Sequence, residues 1–484
     1  MHRWVSRWGP WTGLILLAGC ATEYGRAAER DFRATDYRIE AGPAEARPKF
    51  DGRFESYLAY AMRHSPELEA NFARWRAAVL RIDPARRLPE PRITYGYFIR
   101  SVETRVGPQN HRLSLSQAFP WPTELTAGAD AQALAARAAE QRFEALATAI
   151  QQRVAIAFWK LWFVHRTHQL FLEQEGVLDS LTESIRARVE SGGADLADLA
   201  QVQLRLERLR DHRAMHHEMM QRRSADLLAV VGAPPGTPTP VRDEPAEGVP
   251  AEEEDALLAA ALTHPRVEAH ERMAEASEAQ ARAANAKRYP DLMLGLDWTL
   301  TGSDPGGNTT VPGNGQDAVM ASVSVSLPLW AGSYRDEVAA ARADRVARRA
   351  DGEAARQQAA AELTHALSDV RDAQRRIRLY EEALLPQAET VYSSVSGGLA
   401  TGRASIAQVL MAERDLLELQ IELAEARTEH ARAWADLERI VAHEVARREP
   451  REEAPQPVPQ DEVDADGDDA DGDDADGDDT EGVR

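Results

Sequence analysis

One architectural unit occurs twice in this chain, and within each copy the hydrophobic period changes from helical to strand-like and back. The first copy opens at Ala61-Met62-Arg63-His64-Ser65-Pro66-Glu67-Leu68 and the second at Ala261-Leu262-Thr263-His264-Pro265-Arg266-Val267. Pro66 and Pro265 stand 199 positions apart, as do Pro91 and Pro290. Pro120 and Pro328 are 208 apart and Gly192 and Gly402 are 210 apart, a drift that unequal loops produce. A repeat on this scale predicts a helix–strand–strand–helix unit built twice, mainly α with four strands.

The strand signals are regular alternations. Ile93, Tyr95, Tyr97 and Ile99 alternate with Arg92, Thr94, Gly96 and Phe98, and Leu113 and Leu115 with Arg112, Ser114 and Ser116. In the second copy Leu292, Leu294, Leu296, Trp298 and Leu300 alternate with Met293, Gly295, Asp297 and Thr299. Val319, Ala321, Val323, Val325 and Leu327 alternate with Met320, Ser322, Ser324 and Ser326. Period 2 puts each apolar set on one face. Runs of about nine or ten residues match tilted membrane strands. A half-buried sheet in a soluble protein is the competing reading, but no neighbouring helix has the broad apolar face such a sheet needs.

Prolines mark each change of period: Pro89, Pro91, Pro120 and Pro122, then Pro290 and Pro328. Proline neither continues a helix nor donates to a sheet ladder. Trp121 and Trp330 sit at these corners, where a bilayer interface favours them. The helices enter and leave at one end, so the hairpin loops near Glu103–Asn110 and Gly302–Gln316 are expected at the other. Four strands cannot close a barrel, and lipid does not tolerate open edges. Two, three or four copies would give 8, 12 or 16 strands.

The chain's 43% hydrophobic content is ordinary, but aromatic residues reach only 6%, which suits long narrow helices. The seam Ile150, Val154, Ala157, Leu161, Val164, His168, Phe171, Glu175, Leu178 alternates steps of four and three. Leu363, Leu367, Val370, Gln374 and Ile377 repeat it. Narrow seams of this kind are coiled-coil packing. The first helix is expected from Thr123 to about Val189, roughly 100 Å at 1.5 Å per residue. Glycine turns at Ser191-Gly192-Gly193-Ala194-Asp195 and Thr401-Gly402-Arg403-Ala404-Ser405 end the long helices, with Asp195 and Ser405 as caps for the next. Leu199, Val202, Leu206 and Leu209 then return along one seam as an antiparallel hairpin.

The termini carry different signals. Arg3 and Arg7 precede an apolar run from Trp8 to Leu17, and Leu17-Ala18-Gly19-Cys20 follows, with Cys20 the sole cysteine. This resembles the lipobox of bacterial lipoprotein signal peptides, with residues 1–19 removed and Cys20 lipidated. A standard signal peptide that happens to contain a cysteine is the plainer reading. Ala21 rather than Asp after the cysteine implies, by that resemblance, sorting to the outer membrane. Of the net charge of −22, residues 461–484 hold 13 acidic side chains and one Arg. An acidic chain without a basic stripe argues against nucleic acid. The Asp-Ala-Asp-Gly-Asp repeats lack the bidentate Glu of a calcium loop and read as a disordered tail.

Taken together, the repeat, strands and hairpins resemble the TolC-like outer membrane efflux protein family, specifically its lipoprotein branch. The resemblance covers residues 51–232 and 254–443, with 20–50 as a lipid-anchored N-terminal segment, 233–253 as the linker and 444–484 as a Pro-rich and acidic tail. The family's tip pattern appears as Gly402-Arg403-Ala404-Ser405-Ile406-Ala407-Gln408-Val409-Leu410. The resemblance implies a homotrimer with a 12-stranded outer membrane barrel, continued by an α-helical periplasmic tunnel. It also implies a closed tip that docks on a periplasmic adaptor and an inner-membrane pump, and a linker that forms a belt around the tunnel. Members with a carboxylate ring at the entrance carry acids where this chain has Gln408 and Met411. Asp198 of the first copy is the remaining candidate for the aperture, although an acid near a helix N-terminus is favoured by the dipole alone.

His212, Met215, His216 and Met219, with His217 and Met220, lie three and four apart on one helix, a set that would suit copper or silver. Because His216 and Met220 continue the seam from Leu209, packing accounts for them without a ligand. His217-Glu218-Met219-Met220-Gln221 lacks the second histidine of a zinc-protease helix, and no phosphate loop or nucleophile elbow is present. The expected function is a passive export duct without catalysis or cofactor. The alternatives are a lipid-anchored coiled coil that spans the periplasm without conducting, and a heavy-metal channel using the His/Met set.

Overall fold

A computed structural model describes residues 22–35, 48–303 and 312–449. The signal peptide, Cys20 and the acidic tail lie outside the described residues. The first repeat begins with α2 (Phe54–His64), α3 (Pro66–Leu80) and α4 (Ile82–Arg86), preceded by α1 (Glu23–Ala34). Strands β1 (Arg92–Thr104) and β2 (Gly107–Phe119) follow, then α5 (Pro122–Glu190) and α6 (Leu196–Val231). After a short β3 (Val249–Pro250) the second repeat gives α7 (Glu254–Leu262), α8 (Pro265–Ala286), β4 (Leu292–Thr301) and β5 (Ala318–Val325). It continues as α9 (Ala331–Arg378), a π-helical turn at Leu379–Leu384, α10 (Leu385–Ala400), α11 (Ile406–Val441) and β6 (Arg447–Arg448).

The matched prolines open equivalent helices. Ser65 caps α3 by accepting from the Leu68 N–H, with Pro66 in the first turn. His264 caps α8 through Nδ1, which accepts from the Arg266 N–H at 2.9 Å, with Pro265 following. The other ring nitrogen of His264 lies 3.0 Å from the Arg439 carbonyl. Donation there fixes the neutral Nε2–H tautomer. Burial holds this histidine below its ordinary range.

The long-helix seams are buried as expected. Ile150, Val154, Leu161, Val164, Phe171 and Leu178 face inward, as do Leu363, Leu367, Val370, Gln374 and Ile377. With 69 residues α5 is about 100 Å long. The main hydrophobic cluster joins α2, α3 and α4 to α5 through Tyr57, Leu68, Trp75, Ile82 and Phe158. A second joins α7, α9 and α11 around Leu363, Val370, Trp434 and Leu437.

The first hairpin differs from expectation. Its strands are 13 residues long, and the segment Glu103–Asn110 is mostly ladder, with Glu103 opposite Pro108 and Thr104 opposite Gly107. The turn shrinks to Arg105 and Val106, and a register shift between Tyr97 and Val102 absorbs the extra residues of β1. Strict alternation stops at that irregularity, which is why the sequence pattern placed the loop too early. The second loop stays open between β4 and β5, and residues 304–311 of it lie outside the described residues.

The linker closes back on the fold. The Arg242 N–H donates to the Gly52 carbonyl, and Tyr57 donates to the Pro240 carbonyl at 2.8 Å. Val249 and Pro250 pair with Arg448 and Arg447. The Gly248 N–H donates to buried Gln374, and its carbonyl lies 2.8 Å from Nε2 of fully buried His430.

Candidate channel wall and tunnel entrance

Four strands form one antiparallel sheet in the order β1–β2–β4–β5. Its register lines up the alternations from both copies. Ile93, Leu115, Leu296 and Ala321 form one row, and Tyr95, Leu113, Trp298 and Val319 the next. These rows share a face, and most of their large side chains are exposed, Ile93 by 74% and Val319 by 67%. The opposite face carries the rows Thr94, Ser114, Asp297, Met320 and Arg92, Ser116, Gly295, Ser322.

The polar face is not uncharged. Asp297 accepts from Arg112 Nε at 3.1 Å and Nη2 at 2.7 Å, and from the Ser114 hydroxyl. Arg112 and Asp297 come from different repeats, 185 residues apart, so their mutual neutralisation was invisible in either alternation alone. Among the described residues neither the outer edge of β1 nor that of β5 has a partner strand. No described helix is long and apolar enough to cross a membrane. At the helix-proximal corner Trp121 stacks on Tyr289 at 4.9 Å, and Trp330 is 75% exposed.

At the far end of the helices the two tips come together. Gly192 and Gly402 both take φ of +73°, the left-handed stop the sequence predicted. Asp195 accepts from the Ala197 N–H, and Ser405 forms a full capping box in which Gln408 Oε1 accepts from the Ser405 N–H at 2.9 Å. Gln408 is thus committed to its cap, whereas Met411 is exposed and Asp198 is half-buried in the first turn of α6. Ile185, Val202 and Ile406 form one cluster across both tips. Arg188 donates to the Leu399 carbonyl at 3.2 Å and the Gly193 carbonyl at 3.4 Å.

Two turns further in, Arg205 of α6 grips Glu413 of α11 through paired hydrogen bonds of 2.9 and 3.1 Å, with Glu413 almost fully buried. Sequence reasoning missed this pair, although a polar residue on the α11 seam between Val409 and Leu417 was the available signal. Gln374 stood in the predicted seam for the same reason, as the anchor of the linker rather than a packing residue. The π-helical turn had no local signature.

The histidines of α6 pack on α5. His216 meets the Phe171 ring edge-on at 4.9 Å, and the rings of His168 and His217 lie 6.3 Å apart. Burial, then the neighbouring imidazoles, holds His168 and His216 below their ordinary range. Met215 is exposed and Met219 half-buried. Among the described residues no group of three or more His, Cys, Asp or Glu could hold a metal ion.

An amphipathic four-stranded sheet continued by very long helices is a distinctive architecture, and the comparisons find it in solved outer membrane channels. Residues 257–443 match the family model described as outer membrane efflux protein. The fold is similar to that of the outer-membrane channel OprN, with TM-score 0.68, 19% identity, and coverage of 84% of this chain and 98% of that one. It is similar also to VceC from Vibrio cholerae, with TM-score 0.65, 20% identity, and 81% and 96% coverage. For CusC the values are 0.67, 16%, 84% and 99%. No curated protein sequence matches the chain. Most of the second repeat thus matches that family model, and the chain as a whole shares the fold of these channels.

Proposed function

We propose that the chain is the outer membrane component of a tripartite export system, passing substrates from periplasm to exterior without chemistry of its own. One observation carries this reading: the register that gathers apolar side chains from four strands on one exposed face and polar ones on the other. The unpaired edges of β1 and β5 favour closure between subunits. Three copies, as in the family resemblance, give 12 strands continued by a helical tunnel. The joined tips around Gly192, Gly193, Asp195, Gly402, Arg403 and Ser405 would meet the periplasmic adaptor, and the inner-membrane pump would deliver the cargo. The proposed domain boundaries remain 51–232 and 254–443, with the linker between.

Lipidation of Cys20 fits where the first described residues lie. Thr22 caps α1, and Gly25 packs against Ile82, which closely precedes β1. An acyl chain only two residues before Thr22 would therefore start near the membrane end of the helices. Asp198 is the candidate aperture acid, with exposed Met411 beside the second tip; block of cation current that Asp198→Asn leaves unchanged would remove it from that role.

Purified full-length protein reconstituted in planar bilayers tests the main reading. Stepwise ion conductance is expected. A folded oligomer that inserts yet never conducts would instead favour a structural strut.

A further inference from the structure

At the barrel-proximal end of α8 and α9 a cleft of about 610 Å³ is lined by Arg288, Arg335, Arg342, Tyr289, Tyr334 and Val338. It begins beside the strands: Tyr289 lies three residues before the start of β4, and Pro328, which also lines it, follows β5. Most arginines elsewhere on these two helices are paired with carboxylates, and the unpaired Arg282 and Arg349 line a cleft that also holds Glu271, Glu275, Glu278 and Glu353. Arg272 pairs with Glu268 and Glu275, Arg345 with Glu278, and Arg356 with Glu271. Arg288, Arg335 and Arg342 have no carboxylate partner among the described residues, and the cleft has no acidic lining residue. What sets this cleft apart is that three unpaired arginines converge on it without an acid, an arrangement that favours an anion.

We propose that this cleft binds the phosphate-bearing headgroup of an anionic phospholipid in the periplasmic leaflet, an inference that rests on the outer membrane reading above. Depth supports it. Arg288 lies four residues before β4, and Arg335 lies in the first turns of α9. Arg342 is about two turns further along α9, but α9 runs away from the membrane, so its side chains lean back toward it. The first turn of α9 holds no acid and no side-chain cap, leaving its positive dipole end facing the same layer. Arg288 sits over the Tyr289 ring at 5.3 Å, and that ring stacks on Trp121, an amphipathic ladder suited to the bilayer boundary. Exposed Leu327, Leu329 and Trp330 supply apolar surface for acyl chains beside the cleft.

The test uses the full-length protein purified in detergent, with phosphatidylglycerol and phosphatidylcholine offered separately and retained lipid counted by native mass spectrometry. Wild type is expected to retain phosphatidylglycerol selectively. The variant Arg288→Gln/Arg335→Gln/Arg342→Gln should weaken that retention on the order of a hundredfold. A charge-matched control, Arg371→Gln/Arg375→Gln/Arg414→Gln, should leave it unchanged. Equal retention of both lipids, an unaffected triple variant, or inorganic phosphate binding as tightly as the lipid would each overturn the proposal. So would dissociation of the triple variant into monomers, which would make the cleft a contact between subunits. Conductance of the triple variant is read separately. A conducting variant without lipid selectivity supports the site, whereas a wild type that never conducts defeats the channel reading rather than this one.

Discussion

Breaking the Arg205–Glu413 pair should loosen the hairpin-tip end of the helices selectively. Glu413 is 1% exposed at its side chain and Arg205 20%, so Glu413→Leu leaves a guanidinium largely without water or a counter-charge. Removing one partner of a buried pair costs about 3 to 5 kcal/mol, and the residual hydration of Arg205 places this case near 3 kcal/mol. Replacing both, as Arg205→Met with Glu413→Leu, removes the stranded charge and should come within about 1 kcal/mol of wild type. Hydrogen exchange at fixed pH, followed on peptides covering 196–209 and 406–417, reads the local opening free energy directly. The single variant is expected to lose protection by about a hundredfold there, with peptides of α2 and α3 unaffected, and the double variant to recover most of it. A single variant within twofold of wild type, or a double variant no better than the single, would refute the reasoning.

Three further outcomes are expected. Burial, reinforced by Asp31 and Glu144, pushes the Glu140 carboxyl up to about 7. Its ionised form therefore opposes folding, and stability falls as pH rises from about 4.5 to 7. Glu140→Gln should raise the melting temperature at pH 8 and leave it unchanged at pH 4, as calorimetry would show. Gly192→Ala and Gly402→Ala meet no neighbouring atom and should each cost only about 1 kcal/mol, from the left-handed backbone alone. Asn at either position should cost less in urea titration. Gln374→Leu strands the buried Gly248 N–H at a cost of about 1 to 3 kcal/mol, visible as faster proteolysis between residues 233 and 253.

What the sequence disclosed was whatever repeats at short range. The seam from Ile150 to Leu178, the glycine stops and the four alternations all follow from local period, and the structure bears them out except in the length of the first hairpin. The exceptions depend on distant residues. Arg112 and Asp297 became a pair only through the β2–β4 register, and the long β1–β2 ladder relies on an irregularity that hides the period. Gln374 and Glu413 were legible as polar residues in apolar seams, but their partners, Gly248 and Arg205, lie 126 and 208 positions away. In the His/Met set, His216 meets the ring of Phe171 on α5, a contact that the spacing on α6 alone could not disclose.

The hydrogen-bonding groups left open along β1 and β5 also bear on how such a molecule comes into being. If subunits close the wall as proposed, a lone folded subunit would be at ease neither in water nor in hydrocarbon, a transient species rather than a product. Its maturation should be of higher than first order in secreted chain, and scarce synthesis should slow the appearance of the finished particle out of proportion to the shortage.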